Sequence, residues 1–408
     1  MSGLSNVPIA AVTPAATSYY CGIDIGKRKH MALFLDSTGH VVRPAFPILN
    51  TRDGFAQLVQ ELQNLNGAVA IAVEATGHYW LALYECLSSQ GFDVVVLNPL
   101  QVHAYHRSGV RKCKNDRGDA FWIADFLRIA QPQPTSASLP TLLQLRELAR
   151  FRYGLTAQLG DCKRKIVSVL DRVFPEYETL FSNVFLVTSQ RLLQEAVTPE
   201  EFAEFDLSEL SHLLQTFSRG RFQAPQAMAK AQAIQEAAHQ TVGVSFLRTA
   251  IHVEMRCLLD QLQLLEAQRE QVDEALAALM QKLPQWLTTI PGIGLATGAT
   301  ILAEIEDVQR FSSIEKLVAY TGIDACVYQS GEFEAKRMHM SKRGSPYLRC
   351  ALWQAAHGAI QHDPELQAYY KRKRAEGKHH GTALGAVCRK LVGRIYVVLK
   401  EQRPYLVH

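Results

Sequence analysis

The stretch that most restricts the fold is YYCGIDIGKRKHMALFLDSTGHVVRPAF, residues 19–46. Apolar, β-rich segments alternate there with turn chemistry, which reads as three consecutive strands. TRDGFAQLVQELQNL (51–65) then switches to helical spacing, with Thr51 as its N-cap. AVAIAVEA (68–75) is an apolar strand of buried type, a helix follows around 79–90, and DVVVLNP (93–99) is a further strand. A basic loop leads into a helix that begins near Asp116.

Three meandering strands followed by α-β-α-β-α is the element order of the ribonuclease H-like fold. QPQPTSASLPT (131–141) marks a Pro/Ser-rich boundary. Beyond it, 142–174 and 231–283 carry long apolar spacing near three and four with charges between. They read as the limbs of a helical hairpin or coiled-coil arm, with a small insertion near 185–225; a plain helical bundle is the alternative. The expected organisation is a flexible tail (1–18), an α/β domain (19–133), a helical middle (134–283) and a mostly α C-terminal domain (284–408).

Within that frame, charge falls in unexpected places. Asp24 lies inside the apolar strand GIDIG, and Glu74 ends the fourth strand in AIAVEATGH. A charged side chain in an apolar strand is costly unless paired or bound to a cation. Asp116 and Asp119 sit one turn apart at a helix start. Singly, each has a plain explanation: a strand-end turn, a pair with His78, an N-cap, a first-turn residue favoured by the helix dipole. In this element order the first and fourth strands are neighbours and the last helix crosses them, so the four carboxylates converge. Empty, such a cluster would repel itself and raise its own pKa values. Hard oxygen donors suit Mg²⁺ or Mn²⁺, and two such ions can stabilise the attacking and leaving oxygens of a phosphoryl transfer.

The basic residues Arg107, Arg111, Lys112 and Lys114 precede this helix. The C-terminal segment adds Arg337, Lys342, Arg343, Arg349 and the 371–374 run, interleaved with Tyr347, Tyr369 and Tyr370. Such a track suits a nucleic-acid backbone; a solvated basic face is its bland counterpart. Ser330 in YQSGEF and Ser341 in MHMSKRGSPYLR are candidate attacking hydroxyls, or simple turn residues. PGIG (291–294) resembles a helix-hairpin-helix turn whose glycines admit a phosphate. The net charge of +4 decides little. Eight cysteines without a C-x-x-C pair suggest free thiols in a reducing cytoplasm, with no zinc knuckle. No apolar run has membrane-spanning length.

GIDIGKRKH, VEATGHYW, VVVLNPLQVHAYHRSGVRKCKNDRGDA and PGIGLATGATILAEIEDVQRFSSIEKLVAYTGI…QSG…MSKRGSPYLR resemble the DEDD transposases of bacterial insertion sequences, the 110/1111 group, to which Piv-type DNA invertases are related. The resemblance covers about 19–130 and about 284–400. It implies a RuvC-like domain with Asp24, Glu74, Asp116 and Asp119 as metal ligands, and a C-terminal transposase domain supplying a serine nucleophile. The QSG match assigns that serine to Ser330, with Ser341 as the fallback. Also implied are donor and target DNA as partners, a structured non-coding (bridge) RNA as guide, a helical dimerisation arm with dimers assembling to a tetramer, and a bacterial cytoplasmic setting. One departure stands out: the family often has Gly-Leu-Ala-Pro before the serine block, and here the chain reads TGIDACVYQSG.

Other readings compete. The same fold could be a metal-dependent Holliday-junction nuclease with water as nucleophile, or a DNA invertase without a guide RNA. GIDIG also resembles the first phosphate loop of actin-like kinases, but their second phosphate loop and adenosine loop are not found.

Overall fold

A computed structural model describes residues 19–406, except 76, 98, 100, 101, 104, 106–115, 133–138, 325–328, 331–332, 335–339 and 343. The chain divides into two compact units, residues 1–137 and 138–408.

The first unit is built on five strands: β1 (Tyr19–Asp24), β2 (Lys29–Asp36), β3 (Val41–Leu49), β4 (Val69–Glu74) and β5 (Val94–Leu97). Their order is β3-β2-β1-β4-β5. The first three form an antiparallel meander, and β4 and β5 run parallel to β1. The sequence expected these strands in these places. Helix α1 (Arg52–Gln63) starts where the Thr51 hydroxyl accepts from the Gly54 N–H, and buries Phe55, Leu58 and Leu62. Helix α2 (Leu81–Ser89) follows β4. Helix α3 (Asp116–Ala130) buries Ala120, Ile123, Ala124 and Leu127 in one cluster with Tyr20, Leu33, Ala72 and Leu97. On the other side of β2, His30 is fully buried, stacks on Phe55 and accepts from the Gly26 N–H at Nδ1, 3.3 Å. Burial lowers the pKa of His30, so the neutral ring holds the turn after β1.

Among the described residues the second unit is helical apart from one small strand pair. Its frame is two long helices, Leu139–Val173 and Arg248–Met280, packed along each other. Between them lie shorter helices, among them Val187–Glu195, Pro199–Glu204, Leu207–Phe217 and Ala224–Gln240. The limb expected as one helix over 231–283 is therefore broken. Its apolar spacing continues through the break, but Gly243 lies against the end of the first long helix, where a Cβ would stand 1.8 Å from the Val173 carbonyl oxygen. Val244 N–H donates to the Arg172 carbonyl there, 2.9 Å. The chain must turn at TVGV to close that contact, so 224–240 packs on the shorter helices and only 248–280 packs along the first long helix.

One apolar cluster runs from Leu142 through Leu276 and Met280 to Leu399, so the two long helices and the C-terminal helices share a core. The latter include Leu295–Ile305, Ile314–Thr321, Pro346–His362, Pro364–Ala375 and His380–Glu401. Gly292 of PGIG adopts φ +92°, and a Cβ there would stand 2.3 Å from Ala359 N; a Cβ on Gly358 would meet Gly292 in turn. This glycine therefore serves close helix packing, whereas Gly294 faces open space. Among the described residues no helix is long and apolar enough to cross a membrane.

Candidate nucleic-acid-processing site

Asp24 and Glu74 end adjacent parallel strands. Ile23 pairs with Val73, so the two acids are the next residues on each strand. Alternation along a strand puts Asp24 on the face of Gly22, and Glu74 on the face of Ala72. That face is covered by α3: a Cβ on Gly22 would stand 2.3 Å from the Ala120 carbonyl oxygen and 2.4 Å from Ala124 N. The direction of α3 is fixed at its far end, where the Arg128 guanidinium lies 3.1 Å from a Cβ placed on Gly39, in the β2–β3 turn. That turn is at the Tyr19 end of β1. The first turn of α3 therefore points to the opposite edge, where Asp24 and Glu74 lie.

Asp119 immediately precedes Ala120 and is half-buried. Position 116 is four residues before Ala120, so the spacing 116, 119, 120, 123, 124, 127 is one continuous helical stripe. Its last four members are the apolar ones that dock on the sheet. The Asp116 side chain lies outside the described residues. Among those described, no group of three His, Cys, Asp or Glu side chains is gathered closely enough to hold a metal ion. In kind, the donors fit a hard divalent cation: carboxylate oxygens from two strand ends and one helix start.

Tyr105, the last described residue before α3, is tied to that helix. Tyr105 donates from its hydroxyl to Asp125, 2.7 Å, and Arg128 grips the other oxygen of Asp125 at 2.6 and 3.0 Å. Burial, then the hydrogen bond to Asp125, pushes the Tyr105 pKa up to about 12. Arg107, Arg111, Lys112 and Lys114, expected to face a phosphate backbone, lie outside the described residues, as do Arg337 and Arg343.

In the second unit, Ser330 belongs to a two-strand pair, Gln329–Ser330 with Phe333–Glu334, in which Ser330 is opposite Phe333. The Ser341 hydroxyl donates to the Asp324 carboxylate, and its N–H to the Asp324 carbonyl, 3.0 Å. Lys342 is exposed with φ +51°. Arg349 donates to the Gly344 carbonyl, 3.1 Å. Sequence reasoning missed Asp324 as the partner of Ser341, seventeen residues away. It also missed Glu304, which is 4% exposed and held by Arg150 at 2.7 and 3.1 Å. Arg150 in turn lies 4.9 Å from the Tyr347 ring, in the basic block that follows Ser341.

Two family models match the chain. Residues 21–175 match the DEDD transposase model of the IS110 type, and residues 285–371 match the transposase IS116/IS110/IS902 family. The IS117 mini-circle protein of Streptomyces coelicolor is 25% identical over 403 residues, covering 95% of each chain. The pilin gene-inverting protein of Moraxella bovis is 24% identical over 396 residues, covering 95% of this chain and 97% of its own. The transposase of insertion sequence element IS1111A from Coxiella burnetii is 23% identical over 391 residues, covering 94% and 90%. With one model on the acid-bearing unit and the other on the serine-bearing segment, and relatives aligned nearly end to end, the chain belongs to the IS116/IS110/IS902 family of transposases, enzymes that cleave and rejoin DNA.

Proposed function

We propose that this chain is the recombinase of its own insertion sequence and joins donor to target DNA through a seryl-phosphate. In this proposal residues 19–133 are a RuvC-like, RNase H-like domain, 134–283 a coiled-coil dimerisation region with an insertion near 185–225, and 284–408 the transposase domain. Asp24, Glu74, Asp116 and Asp119 hold Mg²⁺ or Mn²⁺. The observation that carries the proposal is the shared edge of the sheet: two acids end neighbouring strands on the face covered by α3, and the first turn of α3 points to that edge.

Ser330 is the nucleophile. Its oxygen forms a bond to phosphorus as the bond from phosphorus to a sugar oxygen breaks. The serine proton passes to solvent, and the departing sugar oxygen is protonated from the same pool. Attack by the sugar hydroxyl of a second strand reverses the step, so the phosphodiester bond energy is conserved. A bound divalent ion supplies charge stabilisation at the phosphate oxygens. The basic residues Arg107, Arg111, Lys112, Lys114, Arg337, Lys342, Arg343 and Arg349 neutralise the backbones of the nucleic acids. A structured RNA from the element's non-coding end pairs with donor and target, and copies of the chain assemble as dimers and then a tetramer, so that the serine of one subunit can serve the acids of another.

Ser330→Ala tests the proposal in cells carrying the element's own ends: strand exchange disappears while DNA and RNA binding stay within about twofold, as expected when only the reacting group is removed. Retained strand exchange places the nucleophile elsewhere. A second proposal, DNA inversion without a guide RNA, draws on the likeness to the Moraxella bovis pilin gene-inverting protein. Deleting the transcribed non-coding segment separates the two, since inversion of this kind would continue without it.

A further inference from the structure

We propose that Asp324 and Ser341 form a clasp at the base of the strand pair that carries Ser330, as positioning residues and not as nucleophile and base. The inference rests on the role of Ser330 proposed above. Gly322–Asp324 and Met340–Lys342 are the described residues that flank the segment carrying Ser330. Three hydrogen bonds join the two flanks: Ser341 N–H to the Asp324 carbonyl, 3.0 Å, Lys342 N–H to the Gly322 carbonyl, 3.1 Å, and the Ser341 hydroxyl to the Asp324 carboxylate. The last is the side-chain link among them, and the ionised acceptor makes it the stronger kind.

The flanks are themselves fixed to the core. Arg389 of the last helix donates to the Ile323 carbonyl, 3.4 Å. Gly344, at φ +79°, lies where a Cβ would stand 2.0 Å from the Tyr320 carbonyl oxygen. Tyr320 in turn donates from its hydroxyl to the Glu304 carbonyl, 3.0 Å. Lys342 holds a positive φ that a non-glycine residue keeps only when its surroundings impose it. Ser341 has both its N–H and its hydroxyl turned to one residue, Asp324, and so ties the two flanks together through backbone and side chain at once.

Asp324 and Ser341 are seventeen residues apart, so joining them closes the loop that contains Ser330. With the side-chain link removed, the backbone bonds remain but the loop closes less tightly. The nucleophile then spends less time in its reactive position, and affinity for DNA is little changed.

The experiment uses the full chain with a DNA fragment carrying its element's ends and the adjoining transcribed RNA. Ser341→Ala and Asp324→Ala should each lower the rate of strand exchange about tenfold, the size of effect that loss of one charge-assisted hydrogen bond gives. The double variant should be no slower than either alone, because the two residues share one interaction. Ser341→Thr, which keeps the hydroxyl, should restore the rate. DNA affinity should change less than about twofold, in line with an unaltered binding surface. Peptide mapping of the covalent product should find the DNA on Ser330 in every active variant. Hydrogen exchange without nucleic acid gives a readout independent of chemistry: in Asp324→Ala the Ser330 and Phe333 amides should exchange faster, with the 346–362 helix unchanged. If Ser330 is not the nucleophile, that exchange result still stands. Wild-type exchange and wild-type rate in both alanine variants would overturn the clasp, and so would a DNA adduct on Ser341.

Discussion

Gly22 lies directly beneath Ala120: a Cβ on Gly22 would stand 2.3 Å from the Ala120 carbonyl oxygen. Helix α3 can therefore rest on β1 only because residue 22 has no side chain. Gly22→Val forces α3 off the sheet and separates Asp119 from the strand ends. The expected cost is about 1–3 kcal/mol, typical of overpacking, seen as a lower melting temperature. DNA cleavage should fall much further than stability. Cleavage that follows stability alone would show that the placement of α3 does not matter to the chemistry.

Asp24→Asn, Glu74→Gln and Asp119→Asn keep shape and remove charge. Each should reduce strand cleavage by about a hundredfold or more, as loss of an electrostatic stabiliser does. Mn²⁺ should raise the melting temperature of the wild type and not of the variants. Equal Mn²⁺ responses in all four proteins would count against a shared metal site.

Arg150 and Glu304 should respond unequally. Glu304 is 4% exposed and Arg150 is 38% exposed at its side chain. Arg150→Met strands a buried carboxylate and should cost about 2–3 kcal/mol, less than a fully buried pair because one partner reaches solvent. Glu304→Leu leaves an arginine that can turn outward and should cost less. The double variant should recover part of the loss. Urea denaturation of the four proteins measures this.

Glu201 gives a pH dependence. Burial would raise its carboxyl, but the N–H groups of Val197 and Thr198 and the His252 ring outweigh that, so its pKa lies below the ordinary 4.5. Its contribution is thus complete above pH 4.5 and is lost as pH falls through the lower, folded value. Glu201→Gln should melt about 2 °C below the wild type at pH 7. The two melting curves should converge as the solution is acidified, and a difference that grows with acid would contradict the assignment.

The sheet was legible because strands and turns announce themselves in local composition, and so was the oddity of Asp24 and Glu74. What could not be read depends on residues distant in sequence. Gly22 was legible only as part of the strand GIDIG; its role is set by Ala120 crossing above it. The 231–283 stretch keeps helical spacing through a break that Val173 imposes on Gly243. That Gly292 of PGIG admits Ala359 was not legible, because Ala359 is distant in sequence. The missing proline before the serine block was visible as a departure from the family pattern, but the partnership of Asp324 with Ser341 joins residues seventeen apart and could not be read locally. Element order alone placed Asp24 and Glu74 at the ends of neighbouring strands, as the register of β1 and β4 has them.

The most direct measurement is recovery of a protein–DNA adduct on a denaturing gel. The full chain would be incubated with its element ends, the adjoining RNA and Mn²⁺. The expected result is an adduct in the wild type that disappears in Ser330→Ala and in Asp24→Asn. Cleaved DNA with free ends and no adduct in the wild type, or an adduct that persists without Ser330, would contradict a serine nucleophile working with the acids of the first unit.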